Sequence, residues 1–347
     1  MSSSSPPPYT YVYKSIIGVP EYVNHVFTWN SITTFTLLNL LYTIPGVWIY
    51  LKIVRFYWRN GAVRMGANGL RIEMFQSFLL MQLWNNVAMF TDFLMIRIPS
   101  TTIWTSFCAG QNPQLLIKLI VFLYYWSFYS TQLLTVTFCV LRIAILWFAS
   151  VRSRKQIVHR WSPAIILLSV LAALPHIFSD GLCIQLFQPY PFGSIFFNTQ
   201  FHMSNLNMFV LTHLLLTCSC TVVIVVLNIV MVLKIRQRKF GVSLRIRAAA
   251  HNSRAERALT GTMIILVVPM IVSELIALGE LFNADLLSYI ILLRPLFVDA
   301  RVHLVSAYFY MTHPVFKKKT SSLHISNSHT ILGDSDRQLR STALKCV

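Results

Sequence analysis

The sequence predicts an all-α fold, a bundle of seven membrane-spanning helices, and three observations lead there. Of 347 residues, 55% are hydrophobic and only 12% charged, with a mean hydropathy of +0.60; soluble domains carry about twice that charged fraction. The apolar residues gather into seven runs, each near the ~20 residues that cross a bilayer as a helix. The 29 Lys and Arg sit in clusters between those runs, not on one domain. The net charge of +18 therefore reads as a topology signal and not as a nucleic-acid surface.

Residues 1–30 are polar and proline-containing. The start, Met1 to Pro8, lacks the basic-then-apolar order of a cleaved signal peptide, so a short external tail is expected, with the first span as its own insertion signal. The bundle is expected over residues 31–311. Segment one is placed at Ser31 to Leu51 and segment two at Glu73 to Ile96. Segment three, Leu115 to Leu141, lies in the longest apolar run, Leu115 to Phe148, broken only by Lys118 and Arg142. As a helix that run would reach about 50 Å, more than the ~30 Å of hydrocarbon, so it must tilt or project. Helical spacing puts Lys118, Phe122, Tyr125, Tyr129, Gln132, Val136 and Cys139 on one face. That much hydrogen-bonding capacity belongs against protein, which places segment three at the centre. Segments four to seven follow at Trp161 to Phe178, Leu206 to Leu233, Leu259 to Leu281 and Leu286 to Met311. Pro45, Pro175, Pro269 and Pro295 interrupt helices, and Pro269 is the hinge candidate, with an incidental bend as its alternative. Residues 312–347 are expected as a tail, rich in Ser and Thr from Thr320 onward and open to phosphorylation. No internal repeat is visible, which counts against carriers built from duplicated halves.

Orientation follows from the basic residues. All but Lys14, Arg97, Lys118, Arg294 and Arg301 fall after segments one, three, five or seven. The positive-inside rule then puts the amino end outside and the carboxyl end, with its tail, in the cytoplasm. This is the arrangement of G-protein-coupled receptors, and of some channels and enzymes.

Cys108 and Cys183 lie in loops on the outer side. A bond between them would tether the second outer loop to the top of the central helix; the alternative is two free thiols. Glu274 and Arg294 are each some 10–12 Å deep, where a lone charge costs up to ~2.5–3.5 kcal/mol, so a mutual pair or a polar ligand cavity is expected. Asp92, one turn below the outer end of segment two, and Lys118 either snorkel to the interface or contact ligand. Tyr125 joins these as a ligand candidate on the central helix. Asp299 and Arg301 lie deeper, where a buried pair is expected. Arg142 stands in Leu141-Arg142-Ile143, without the acidic neighbour of an Asp-Arg-Tyr triplet. It is a coupling candidate or a positive-inside anchor. Lys234, Arg236, Arg238 and Arg257 belong to a basic third inner loop, expected to extend segments five and six towards a G protein or to meet anionic lipid.

No nucleotide-binding glycine loop, helical metal pair or nucleophile motif occurs, and segment seven has no Lys for a retinal Schiff base. No enzymatic activity, cofactor or metal is expected.

Several runs resemble the nematode serpentine chemoreceptors, and most of all class U. They are Pro20-Glu21-Tyr22-Val23-Asn24, Asp92-Phe93 leading into Arg97-Ile98-Pro99-Ser100, Trp104-Thr105-Ser106-Phe107-Cys108 and Phe192-Gly193-Ser194-Ile195. The run from Thr91 to Cys108 is the most specific. The resemblance implies a chemosensory receptor of the plasma membrane, often in the cilia of sensory neurons, that binds a small extracellular molecule and acts through a heterotrimeric G protein. The competing class is a ligand-gated channel or small-solute transporter.

Overall fold

A bilayer core offers no water to backbone N–H and C=O groups, so long apolar runs satisfy them internally as helices. A computed structural model describes residues 15–67, 72–147, 152–200, 202–203, 206–240, 261–262, 264–272, 274–275, 287–312 and 316. Its helices are α1 (Pro20–Val23), α2 (Ser31–Ala67), α3 (Ile72–Asp92), α4 (Ile98–Ser100), α5 (Thr105–Gln111), α6 (Gln114–Trp147), α7 (Arg152–Ala173), α8 (Pro175–Phe178) and α9 (Met208–Phe240). The helical residues among 261–275 are α10, and α11 is Leu287–Thr312. The strands are β1 (Asp180–Gln185), β2 (Ile195–Gln200) and the two-residue β3 (His202–Met203) and β4 (Leu206–Asn207).

The segments run longer than hydropathy alone suggested. α2 continues past Leu51 to Ala67, so Lys52, Arg55, Arg59 and Arg64 lie on helix, not in a loop. Segment two does not stop at Ile96: a π turn at Phe93–Arg97 joins α3 to α4. Segment four divides at Leu174, and Pro175 opens α8. Segment five starts at Met208, after β4, and continues to Phe240, which carries Lys234, Arg236 and Arg238 on added helical turns. Residues 276–286, which include the expected end of segment six, and Arg257 lie outside the described residues. Among the described residues four helices are both long and apolar enough to cross a membrane: Ser31–Arg59, Gln114–Ala144, Trp161–Phe178 and Met208–Lys234.

α6 is the axis, packed against α3, α7, α8, α9 and both long strands, while α11 packs on α2 and α3. Gly46 allows the α2–α11 approach, since any side chain there would collide with His303. Among the described residues two large apolar cores lie along the bundle, with a small third cluster of Met89, Phe93 and Val302. One gathers Ile117, Val121, Tyr124, Tyr129, Phe197 and Ile291 at the end carrying the strands; the other gathers Ile53, Phe78, Met81, Phe138, Leu266 and Phe309 at the end carrying the basic clusters. Between them is a polar layer in which Thr91 meets Ser127 at 3.0 Å, Ser306 donates to Gln82 at 3.3 Å and Arg301 donates to Thr135 at 3.0 Å.

A lid covers the strand end. β1 and β2 form an antiparallel hairpin from the Asp180–Gln200 pair to the Gln185–Ile195 pair. Cys183 on β1 is bonded to Cys108 on α5. The tether therefore runs to a short helix ahead of α6, not to the top of the central helix. Gln114, in the first turn of α6, accepts from the Gly181 amide at 2.8 Å and donates to its carbonyl at 2.9 Å. The segment before α1 adds to the lid: Ile16 donates to the Cys183 carbonyl at 3.0 Å, Gly18 to Ala109 at 2.9 Å, and the Tyr22 hydroxyl donates to Gln185.

Candidate functional site

Beneath the lid a π turn brings four charges together. On an α-helix residues five apart point about 140° away from each other. The wider π turn, closed by bonds five residues apart, returns them to one side. Asp92 and Arg97 are such a pair: Arg97 Nε donates to Asp92 Oδ2 at 2.8 Å. Its other two nitrogens donate to Asp299 of α11 at 2.9 and 2.7 Å, and its guanidinium sits 4.2 Å over the Phe93 ring. Arg97 thus ties segment two to segment seven through a forked, charge-assisted contact. Asp92 is 2% exposed, so it does not snorkel, and the longer helix places it well inside the bundle.

Arg294 takes a different place from the one expected. Its Nη1 lies 3.6 Å from Asp92 Oδ1, the side chain is 20% exposed, and the guanidinium rests over the Tyr124 ring at 5.2 Å. It does not pair with Glu274. That carboxylate faces α9, where Thr217 donates at 3.0 Å, Thr221 at 3.4 Å and Cys218 at 3.5 Å. The i, i+4 hydroxyls of Thr217 and Thr221 share one face of α9, which gives Glu274 its acceptor role and links segments five and six. Asp299 and Arg301 do not pair with each other either: Asp299 holds Arg97, and Arg301 reaches across to Thr135 of α6.

The other expected ligand residues are spread apart. Lys118 lies 3.7 Å from Asp180, whose side chain is 91% exposed, an ion pair at the hairpin base of about 0–1 kcal/mol. Tyr125 is buried and stacks on His176 with ring centroids 4.0 Å apart, edge-on to His213 at 5.3 Å. Of the expected set, the structure brings Asp92 and Arg294 together. It adds Arg97, Asp299 and Tyr124, which sequence reasoning left out of the site. A cation inside Ile96-Arg97-Ile98 was the available signal.

The lid seals this cluster directly. The Phe187 amide donates to Ser288 of α11 at 2.9 Å, Ser194 donates to the Ser100 carbonyl at 2.7 Å, and Thr105 donates to Gly193. Tyr190, in the hairpin loop, is buried near the charges. Burial and the Asp92 carboxylate hold its hydroxyl well above the ordinary tyrosine range, with Arg97 opposing, so it stays protonated.

At the basic end Arg142 is 5% exposed and is not a solvent-facing anchor in this arrangement. Lys234 lies 6.0 Å over the Trp147 ring and joins α9 to α6, while Arg236 is exposed. Pro269 is buried within α10. Arg238 stands on the last turns of α9, its side chain outside the described set.

Comparison with known proteins gives three findings. A family model described as "Serpentine type 7TM GPCR chemoreceptor Sru" matches residues 16–319. A curated protein of Caenorhabditis elegans, "Serpentine receptor class U-26", is 24% identical over 240 residues, which cover 67% of this chain and 80% of that protein. The crystal structure of squid rhodopsin superposes with a TM-score of 0.60 over 91% of each chain at 15% identity, which shows a shared fold.

Proposed function

Because the chain belongs to the Sru family of serpentine 7TM chemoreceptors, we propose that it is a chemosensory G-protein-coupled receptor. It binds a small extracellular molecule in the lid-end half of the bundle and signals to a heterotrimeric G protein at the basic end. The amino end and lid face outward, the carboxyl tail lies in the cytoplasm, and the receptor works in the plasma membrane, in sensory cilia among other sites. The observation that carries this reading is the set Asp92, Arg97, Arg294 and Asp299, gathered under a pinned lid with only Arg294 partly exposed, where polar groups serve a ligand and not a path through the bilayer.

A ligand shifts the receptor only if it binds the signalling arrangement more tightly. Glu274 supplies the latch. Its bonds from Thr217 and Thr221 hold the lid-end half of α10 to α9, five residues beyond Pro269. Releasing them frees segment six to swing about Pro269 and uncover Arg142, with Lys234, Arg236, Arg238 and Arg257 completing the coupling face. Thr217→Val removes one hydrogen bond to a charged group, about 1.5 kcal/mol, and should raise basal nucleotide exchange about tenfold. Purified heterotrimers with receptor in nanodiscs at matched levels measure it. Equal exchange by wild type and variant would contradict the latch.

A further inference from the structure

We propose that Arg294 and Tyr124 form a recognition site for the carboxylate of a small organic acid. A guanidinium carries five N–H donors. Among the described residues Arg294 brings none of them within hydrogen-bond distance of an acceptor; its one charged neighbour, Asp92 Oδ1, is 3.6 Å away. Arg97 shows what a satisfied cation looks like at the same depth, with Nε, Nη1 and Nη2 all bonded. Asp92 gives Oδ2 to Arg97 at 2.8 Å, while its Oδ1 makes no hydrogen bond among the described residues and meets Arg294 only at 3.6 Å.

The second, independent observation is the ring under Arg294. Tyr124 is 3% exposed, and its hydroxyl is buried with no hydrogen-bond partner among the described residues. One cation and one hydroxyl donor, in contact through the ring at 5.2 Å, point to the same partner: an oxygen acceptor bearing negative charge. One cation whose N–H donors make no hydrogen bond among the described residues suits a singly charged carboxylate. Asp92 Oδ1, a buried carboxylate oxygen of the cluster without a hydrogen bond among the described residues, already has Arg294 3.6 Å away, so a cationic ligand has to displace Arg294 to reach it. Arg294 lies six residues beyond Ser288, the point where the lid is fastened to α11, so the site is about 9 Å below the lid. An acid held there bridges segment seven to segment three.

This site gives the ligand chemistry of the proposed receptor, but its binding is tested without a G protein. The full chain in nanodiscs is melted with benzoate, benzamide and benzylamine, and with hexanoate, hexanamide and hexylamine. The two acids are expected to raise Tm and the four neutral or cationic analogues to leave it unchanged. Arg294→Met should abolish the rise, Tyr124→Phe should weaken the apparent affinity about tenfold, and Arg294→Lys should retain part of it. Lys52→Gln, at an exposed position of α2 outside the site, should bind the acids as wild type does. No rise with either acid, equal rises from acid and amide, or a rise that survives Arg294→Met would overturn the proposal. Acid binding without any nucleotide exchange would count against the receptor reading and leave the anion site standing.

Discussion

Arg97 and Arg294 share a carboxylate, yet removing them should have unequal consequences. Arg97→Met leaves Asp299 buried without its cation and Asp92 with only the 3.6 Å contact to Arg294, a loss of about 3–5 kcal/mol. Arg294→Met deletes one long contact and a ring stack, and should melt within about 1 kcal/mol of wild type. Thermal unfolding in nanodiscs, followed by a thiol-reactive dye, separates the two; similar losses would mean that Arg97 is no separate hub and that the four charges act as one undivided network. Legibility at this scale was uneven for a physical reason. Residue type and helical counting marked Asp92, Glu274 and Arg294 as buried charges. Their partners depended on rotation about each helix axis, which counting along the chain does not fix. The π turn at Phe93–Arg97 has no sequence signature, and it is what turns Arg97 inward towards Asp92.

At the scale of elements, the lid behaves as one body because separate bonds converge on it. The Cys108–Cys183 disulfide spans 75 residues, and Gln114 and the backbone of Ile16 fasten the same hairpin. Loss of a native disulfide costs about 2–5 kcal/mol. Cys108→Ser, Cys183→Ser and the double variant should therefore lose the same surface expression and thermal stability, since any one of them breaks the one bond. Additive losses would show that the two cysteines act separately. Hydropathy located the segments but not their ends. α2 and α9 run on into basic turns because Lys and Arg are good helix formers that hydropathy scores as loop. The hairpin went unread because its strands alternate weakly and are paired to each other outside the bundle's helical periodicity.

Across the described residues, two large apolar cores enclose a polar middle layer, so the bundle is packed by apolar side chains towards each end and hydrogen-bonded between them. The charge cluster lies beneath the lid, and Arg142 is buried at the basic end. Seven-span architecture and family were legible from apolar runs and the Thr91 to Cys108 stretch; how the two ends pack was not, because packing depends on helix rotation that a sequence does not display. The most direct measurement is basal nucleotide exchange on a panel of purified heterotrimeric G proteins, comparing the wild-type chain with Arg142→Ala at matched surface expression. Exchange above that of empty nanodiscs, reduced at least about tenfold by Arg142→Ala, is the predicted result. Exchange above empty nanodiscs that is equal in the two would contradict the coupling role of Arg142; no exchange, together with current across excised patches without any nucleotide, would contradict a G-protein-coupled receptor.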